Sequence, residues 1–428
     1  MPSARHTNFN RAVVLSLLMV MMTQVGYLDS MNPWTNSEET LDETTDVLET
    51  GGSGASNFTA SVEGADLFID EAMTNITFQY NASAASGSGS GSGTTTNGNG
   101  TTWRVADIYG GTGSSTPGSY MEILVGDTLY FNANDGSYGH ELWAHDTSNA
   151  STWRVADISS GGGSSGAGNT LAILVGDTIY FNADDGNSGH ELWAHDTSNT
   201  STWQVADIYS GTSSSSSGQS MEILVGDTIY FNADDGNSGQ ELWAHDTSNA
   251  STWQVADIYS GASNSNPGSV MEILVGDTIY FSAYTAASGT ELWAHDTSNA
   301  STWQVTDLNN GGSTSNPGYF MEILVGDTLY FSATDGSYGH ELWAHDTSNA
   351  STWQVADLNN GGGSSNPGLN MAILVGDTIY FNADVGNSGH ELWAHDTSNT
   401  STWQVADIRS GSSGSIPGQY MELSLIHI

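Results

Sequence analysis

The chain contains no lysine and no cysteine, and only five arginines oppose 48 aspartates and glutamates, for a formal net charge of -43. The absence of cysteine excludes disulfides, thiolate metal sites and cysteine nucleophiles. The absence of Lys/Arg clusters excludes nucleic acid and anionic membrane surfaces as partners, because binding phosphates requires such clusters. Hydrophobic residues still make up 37% of the chain, beside 51 glycines. That share is enough for a folded core, so the chain is not wholly disordered.

The N-terminal 30 residues have the pattern of a signal peptide or an N-terminal anchor. Arg5 and Arg11 precede a mostly apolar run over residues 12–28, which is shorter than the ~20 residues of a typical membrane span. No later segment is long and apolar enough to span a membrane. We therefore expect the rest of the chain to lie outside the cytoplasm, in the extracellular space or at the cell surface.

Residues 31–100 read as an acidic spacer rich in Thr, Gly and Ser. Within it, residues 57–81 alternate in a way that predicts a small β element. Residues 86–100 (SGSGSGSGTTTNGNG) form a flexible linker. A domain boundary near residue 100 follows.

Beyond the spacer the sequence repeats every 50 residues. The heptapeptide ELWAHDT begins at positions 141, 191, 241, 291, 341 and 391. This period is typical of propellers, solenoids and arrays. Residues 101–422 hold six full units and the start of another, and the LSLIHI tail (423–428) departs from the pattern. We expect this tail to reflect a truncated reading frame or a sequence artefact.

Each unit predicts four antiparallel strands and a long Gly/Ser return loop. In the first unit the strands are predicted at 121–126, 127–133, 140–146 and 151–158. Gly126-Asp127 between two apolar runs is a two-residue hairpin signal. The predicted fold is an all-β propeller of four-stranded antiparallel blades. A lone fourth strand is predicted at Trp103–Ile108.

The segment ELWAHDTSNASTW resembles the blade core of kelch-type propellers. The whole unit more closely resembles the ELWxxDGT repeat family of exported microbial proteins. Glu141, Leu142, Trp143 and Asp146 match that family's motif, whereas Thr147-Ser148 replaces its Gly-Thr. The resemblance covers about three quarters of the chain. It implies a propeller architecture and gives little indication of activity.

No cofactor or metal site is predicted, and a calcium site at the second turn is the alternative to a plain hairpin turn. The turn NADDGNSG (182–189) has the composition of a calcium loop but lacks its ligand spacing. The fourth unit reads SAYTAASG (282–289) and keeps the length without any carboxylate, so a hairpin turn is favoured. The two histidines of a unit, such as His140 and His145, stand five residues apart on one strand. They face opposite ways and cannot chelate one ion.

The repeated tryptophans are predicted to pack between blades, and Asp146 and Asp157 to bond turn backbone instead of acting as acids. Asn-x-Ser/Thr sequons recur through the chain, with glycosylation and plain turn chemistry as equal alternatives. The ten candidate glycosylation sites are Asn57, Asn75, Asn81, Asn99, Asn149, Asn199, Asn249, Asn299, Asn349 and Asn399.

Candidate ligand-binding residues lie where the units differ, just before each first strand. Aromatic side chains there are suited to hold a sugar or a peptide. They are Tyr120, Tyr319, Phe320 and Tyr420. Neutral drift in a permissive loop is the alternative.

Catalysis is not expected, because nearly every polar strand residue is copied six times and a catalytic site needs different groups that converge. We predict an exported, non-enzymatic protein of the cell surface that acts as a multivalent recognition and adhesion module through loops on one propeller face. Its expected partner is a glycan or protein ligand. A structural envelope or matrix component is the alternative, and a propeller hydrolase ranks third.

Overall fold

The computed structural model describes residues 102–419 and two short strands that precede them. These strands, β1 (Phe58–Ala60) and β2 (Ile76–Phe78), pair in parallel. They belong to one compact unit, and the six sheets described below belong to another. The predicted signal segment (1–30) and the off-pattern tail (423–428) lie outside the described residues. No helix suited to cross a membrane occurs in the described part of the chain.

Each 50-residue unit forms one four-stranded antiparallel sheet, called a blade below, whose strands follow in chain order. The strands of blades one to three are β3 (Glu122–Val125), β4 (Thr128–Asn134), β5 (His140–Asp146), β6 (Ser151–Ala156), β7 (Ala172–Val175), β8 (Thr178–Asp184), β9 (His190–Asp196), β10 (Ser201–Ala206), β11 (Glu222–Val225), β12 (Thr228–Asp234), β13 (Gln240–Asp246) and β14 (Ser251–Ala256). Those of blades four to six are β15 (Glu272–Val275), β16 (Thr278–Thr285), β17 (Gly289–Asp296), β18 (Ser301–Thr306), β19 (Glu322–Val325), β20 (Thr328–Thr334), β21 (His340–Asp346), β22 (Ser351–Ala356), β23 (Ala372–Val375), β24 (Thr378–Asp384), β25 (His390–Asp396) and β26 (Ser401–Ala406).

The first two strands of a blade are joined by the predicted two-residue hairpin. Val125 pairs with Thr128 across Gly126-Asp127, and Gly126 has a φ of 57°. A glycine in this conformation at the first central position is typical of a type II′ turn, whose twist suits a hairpin. The hairpin prediction is confirmed.

The fourth strand ends two residues earlier than predicted, and the lone strand predicted at 103–108 is not formed. In the first blade the register of strands three and four shifts, so that Leu142 pairs with Ala156 and Trp143 with Arg154. Residues 103–108 join no sheet of the described chain. Every other fourth strand pairs with the ELWAHD strand of its own unit, and the sequence has no ELWAHD segment before residue 103.

The core lies between successive sheets, in five hydrophobic clusters. In the first cluster Tyr130 and Leu142 of the first blade pack with Ile179 and Phe181 of the second. The other four clusters join blades two to three, three to four, four to five and five to six. Burying one such side chain contributes about 1.5–3 kcal/mol. Face-to-face packing of six similar sheets is a β-propeller-like arrangement, which confirms the predicted fold class.

The two tryptophans of a unit have different surroundings, so the packing prediction is only half correct. The ELW tryptophan packs in the cluster between blades, as Trp193 does. The second tryptophan, on the fourth strand, points outward and is 40% exposed at Trp153 and Trp203. The alternation of that strand explains the difference, because Thr152 takes the inward direction and Trp153 the outward one.

Candidate functional site: the aromatic patch of the fifth blade

The predicted ligand-binding aromatics stand where a return loop meets a first strand, and buried side chains hold their backbone there. In the first blade the Asn132 Oδ1 accepts the Tyr120 N–H at 2.8 Å. In the fifth blade the Ser332 Oγ accepts the Phe320 N–H at 2.8 Å. Asn132 and Ser332 have no exposed surface. The positions that vary between units are therefore fixed to the second strand of their own blade.

The structure brings Tyr319 and Phe320 together with His340, which begins the third strand of the same blade. The Tyr319 and Phe320 ring centroids lie 4.8 Å apart at an interplanar angle of 82°. The His340 ring lies 5.3 Å from Phe320 and 5.9 Å from Tyr319. Tyr319 is 59% exposed. Tyr120 belongs to the first blade instead, where it lies 5.7 Å from His140, and Tyr420 lies outside the described residues.

His340 contributes an uncharged ring to this cluster. Burial lowers its pKa, so the imidazole is neutral at pH 7. Its backbone N–H donates to the Ser364 Oγ at 3.1 Å. From the sequence, packing or surface placement is favoured for this histidine over metal binding. The signal for its role is that four of the six units place a histidine at this strand start, directly after the second turn.

The first and fifth blades each have a tyrosine in the turn between their second and third strands, two residues before the histidine. In the first blade the Arg154 Cζ lies 3.6 Å from the centroid of the Tyr138 ring, which is cation–π geometry. The fifth blade has Tyr338 at the equivalent position, 41% exposed, but Gln354 in place of the arginine. We call Tyr319, Phe320, Tyr338 and His340 the fifth-blade patch. Phe320, Tyr338 and His340 correspond to Tyr120, Tyr138 and His140 of the first blade, which has Ser119 in place of Tyr319.

A buried glutamate in every blade binds the return loop to the sheet, a role that the sequence pattern does not indicate. The Glu191 Oε2 accepts the Ile208 N–H at 2.8 Å and its Oε1 accepts the Ser215 N–H at 2.9 Å. Burial raises the pKa of Glu191 to about 7, against the opposing effect of these hydrogen bonds. The same residue in the first, third and fourth blades, Glu141, Glu241 and Glu291, also has its pKa raised to about 7. These carboxylates position the loops that carry the variable residues.

The other repeated histidine lies in the interface between blades. His195 is 1% exposed, its Nδ1 lies 2.8 Å from the Thr202 Oγ1, and its ring lies 5.4 Å from Tyr130 of the preceding blade. Burial lowers its pKa. The residue therefore packs one blade on the next.

Carboxylates in the turns bond to backbone, as predicted for Asp146. The Asp146 Oδ1 accepts the Ser148 N–H at 2.8 Å, and the Ser148 side chain is the main cause of its lowered pKa. In the second turn the Asp185 Oδ1 accepts the Ser188 N–H at 2.7 Å. The fourth blade uses the Thr285 hydroxyl for the same N–H of Ser288, at 3.2 Å. A hydroxyl thus replaces the carboxylate, which fits a turn-forming role.

Six of the ten sequons lie on the exposed turn between the third and fourth strands. The Asn149 Nδ2 donates to the Asp146 Oδ2 at 2.6 Å, and the Asn149 Oδ1 accepts the Ser151 N–H at 2.9 Å. Both halves of the amide therefore serve the turn, and glycosylation there stays a prediction. The remaining four candidates, Asn57, Asn75, Asn81 and Asn99, lie outside the described residues.

Neither a family model nor a curated protein matches the chain, so the resemblance to ELWxxDGT repeats stays a prediction. Solved structures do resemble the fold. A prolyl endopeptidase shares 10% identity at a TM-score of 0.41, over 65% of this chain and 41% of its own. A dipeptidyl peptidase 4 of Porphyromonas gingivalis shares 7% at 0.43, over 67% and 45%. A puromycin hydrolase shares 11% at 0.37, over 65% and 43%. The chain thus spans less than half the length of these proteins.

All three of these proteins are enzymes, which contradicts two predictions made from the sequence. One was that the chain is a non-enzymatic recognition and adhesion module, and the other was that it is not an enzyme. Both are wrong by this comparison. Both predictions rested on the observation that polar residues recur in all six units. That observation concerns the blades alone and does not extend to residues outside them. The likeness itself extends to the fold and assigns no activity to this chain.

Proposed function

We propose that the repeat domain binds basic polypeptide segments through the fifth-blade patch. The observation that carries this proposal is the pair of equivalent tyrosines. The Tyr138 ring lies under an arginine of its own blade, whereas the fifth blade has Tyr338 at the equivalent position and Gln354 in place of that arginine. A Lys or Arg side chain of a ligand would occupy the position that Arg154 takes in the first blade.

The charge of the chain favours the same class of ligand. With a formal net charge of -43 and no lysine, the surface attracts cations over long range and repels acidic partners. The neighbouring Tyr319 and Phe320 offer apolar ring faces for an adjoining side chain. A basic peptide therefore gains from both the local rings and the overall field. We further propose that this binding takes place outside the cytoplasm, as the N-terminal segment indicates.

A neutral glycan is the alternative ligand, because sugar rings also stack on aromatic side chains. The two classes differ in their response to salt. Binding of a basic peptide weakens as salt screens the charges, with a Debye length of about 8 Å at physiological ionic strength. Stacking of a neutral sugar does not depend on that screening.

The experiment is a fluorescence-anisotropy titration of a labelled Lys/Arg-rich peptide into the protein at low and physiological salt. The patch variant Tyr319→Ser/Phe320→Ser/Tyr338→Ser should weaken binding about tenfold to a hundredfold, since each of the three exposed contacts contributes about 0.5–1 kcal/mol and every 1.4 kcal/mol is tenfold in affinity. Tyr120→Ser, in the first blade, is the matched control and should bind like the parent protein. Mass spectrometry of the peptide after incubation reports any cleavage in the same samples.

Gln354→Arg tests the proposal without removing any aromatic group. It gives the fifth blade the internal cation that the first blade has, so it should compete with the peptide and weaken binding. Unchanged affinity in both the patch variant and Gln354→Arg would refute the proposal. Binding of a neutral oligosaccharide in place of the peptide would refute it as well.

A further inference from the structure

The residue at the start of the third strand differs between blades. The six residues at this position are His140, His190, Gln240, Thr290, His340 and His390. In the third and sixth blades an asparagine of the second strand lies against this side chain. The Asn232 Nδ2 donates to the Gln240 Oε1, and the Asn382 Nδ2 lies 3.3 Å from the His390 Nδ1. The side chain therefore contacts a polar group of its own sheet in these two blades.

In the fifth blade the histidine at this position packs on the rings of the fifth-blade patch instead. Ser332 replaces the asparagine, and its Oγ accepts the Phe320 N–H at 2.8 Å. The His340 ring lies 5.3 Å from Phe320 at an interplanar angle of 75°, and 5.9 Å from Tyr319 at 35°. The His340 Nδ1 is buried and has no hydrogen-bond partner among the described residues. A charge on this imidazole therefore acts directly on the two rings.

The carboxylates around His340 are bound to other groups. The ionisable side chains on the segments next to it are Tyr319, Glu322, Asp335, Tyr338, Glu341 and Asp357. The Asp335 carboxylate accepts backbone N–H groups of its own turn, and the Glu341 carboxylate accepts those of the return loop. Glu322 accepts a backbone N–H of the fourth blade, and Asp357 acts on Glu341. Burial lowers the pKa of His340, and none of these carboxylates opposes that effect.

We propose that the charge of His340 controls the fifth-blade patch, so that a basic peptide binds when the imidazole is neutral and is released when it is protonated. This inference rests on the proposed function. A neutral imidazole leaves the faces of Tyr319 and Phe320 to a Lys or Arg side chain. A proton on His340 places a positive charge 5.3–5.9 Å from both rings, where it repels that side chain.

The coupling between protonation and peptide binding is reciprocal, so it has two measurable consequences. The affinity for the peptide falls as the pH drops through the pKa of His340, which burial holds below its ordinary value of 6.5. Bound peptide in turn lowers that pKa further. Two unit charges about 6 Å apart, at an effective dielectric constant of about 40–80, change the affinity by about three- to tenfold.

The first measurement is the pKa of His340, by NMR of protein with isotope-labelled histidine, with and without an excess of an acetylated Lys/Arg peptide. The signal that is missing from His340→Gln assigns the residue. Glutamine occupies this position in the third blade, so the fold accepts the substitution. The peptide should lower the pKa of His340 in the parent protein.

The second measurement is the affinity for the same peptide, by anisotropy titrations at constant ionic strength and at pH values on both sides of the measured pKa. The parent protein should lose about three- to tenfold more affinity over this range than His340→Gln. His190→Gln is the matched control, because it removes a histidine of the second blade. It should show the pH dependence of the parent.

The outcomes separate the role of His340 from the function on which it rests. If the peptide binds at pH 7 but the parent and His340→Gln lose affinity equally at lower pH, the role of His340 is overturned and the proposed function stands. The same follows if His340 stays neutral down to about two pH units below its ordinary pKa, or if the peptide leaves its pKa unchanged. A parent protein that binds no basic peptide at pH 7 would refute both.

Discussion

Replacing one buried carboxylate measures how strongly the return loops depend on the glutamate of their blade. In the third blade the Glu241 Oε2 accepts the Ile258 N–H at 2.7 Å and the Oε1 accepts the Ser265 N–H at 3.0 Å. The Ser265 N–H keeps a second acceptor in Glu241→Ala, the Gln240 carbonyl at 3.0 Å, whereas the Ile258 N–H loses its acceptor. A hydrogen bond to a charged group contributes about 1.5–3 kcal/mol. Glu241→Ala should therefore lower the free energy of unfolding by about 2–3 kcal/mol.

The matched control is Glu391→Ala in the sixth blade, where the same bonds lie close to solvent. Its carboxylate accepts the Ile408 and Ser415 N–H groups, both at 2.9 Å, but Ile408 is 61% exposed. Water can replace the acceptor there, so we expect a loss of about 1–2 kcal/mol. Urea unfolding followed by tryptophan fluorescence measures both variants. Equal losses, or a loss below about 1 kcal/mol for Glu241→Ala, would refute the role given to burial.

Three further predictions concern stability. Burial raises the pKa of Glu141, Glu191, Glu241 and Glu291 from 4.5 to about 7, so the stability that these four glutamates contribute is complete below pH 4.5 and is lost as the pH rises through 7. Burial lowers the pKa of His195, His245 and His295 from 6.5, so the stability that these histidines contribute is present above pH 6.5 and is lost as the pH falls through the lowered value. The melting temperature should therefore be higher at mildly acidic pH than at pH 8, and a flat profile would contradict the linkage. Phe281→Ala should lower the free energy of unfolding by about 3–5 kcal/mol, because Phe281 has no exposed surface. Trp303→Ala, at a site that is 40% exposed, should lower it much less. Equal melting temperatures of the two variants would contradict the hydrophobic core between blades. Ala300 has a φ of 57°, a left-handed conformation that a Cβ makes unfavourable. Ala300→Gly should therefore raise the free energy of unfolding by about 0.5–1 kcal/mol. A lower free energy of unfolding in urea would show that Ala300 is not strained.

The repeat made the architecture predictable, because its period and its turn residues agree. Gly126-Asp127 and the Asp146 turn predicted four strand boundaries to within one residue of the observed ones. The alternation in STWRVA is enough to place Trp153 outward, and so to distinguish it from the tryptophan of the ELWAHD strand. Strand 103–108 failed as a prediction because its motif is local, while a strand requires a partner strand beside it.

The candidate site was less predictable, because it depends on which side chains from different strands and loops lie next to one another. Tyr319 and Phe320 stood out by their variation between units, but His340 comes from another strand and looked like one of four equal copies. Tyr338 becomes a candidate binding residue only because the first blade shows Tyr138 in contact with Arg154. The fifth blade has Gln354 in place of that arginine, sixteen residues after Tyr338. Contacts between strand ends are set by the packing of the sheet, which a one-dimensional pattern does not contain.

The most direct test of the proposed function is to map where a basic peptide binds. A Lys/Arg-rich peptide that carries a photoreactive group is cross-linked to the protein, which is then digested and analysed by mass spectrometry. The segments around Tyr319-Phe320 and Ser337-Tyr338 differ from most other blades, so cross-links can be assigned to them. We predict that the cross-links concentrate in residues 319–340. An even distribution over the six blades, or concentration at another blade, would contradict the proposal.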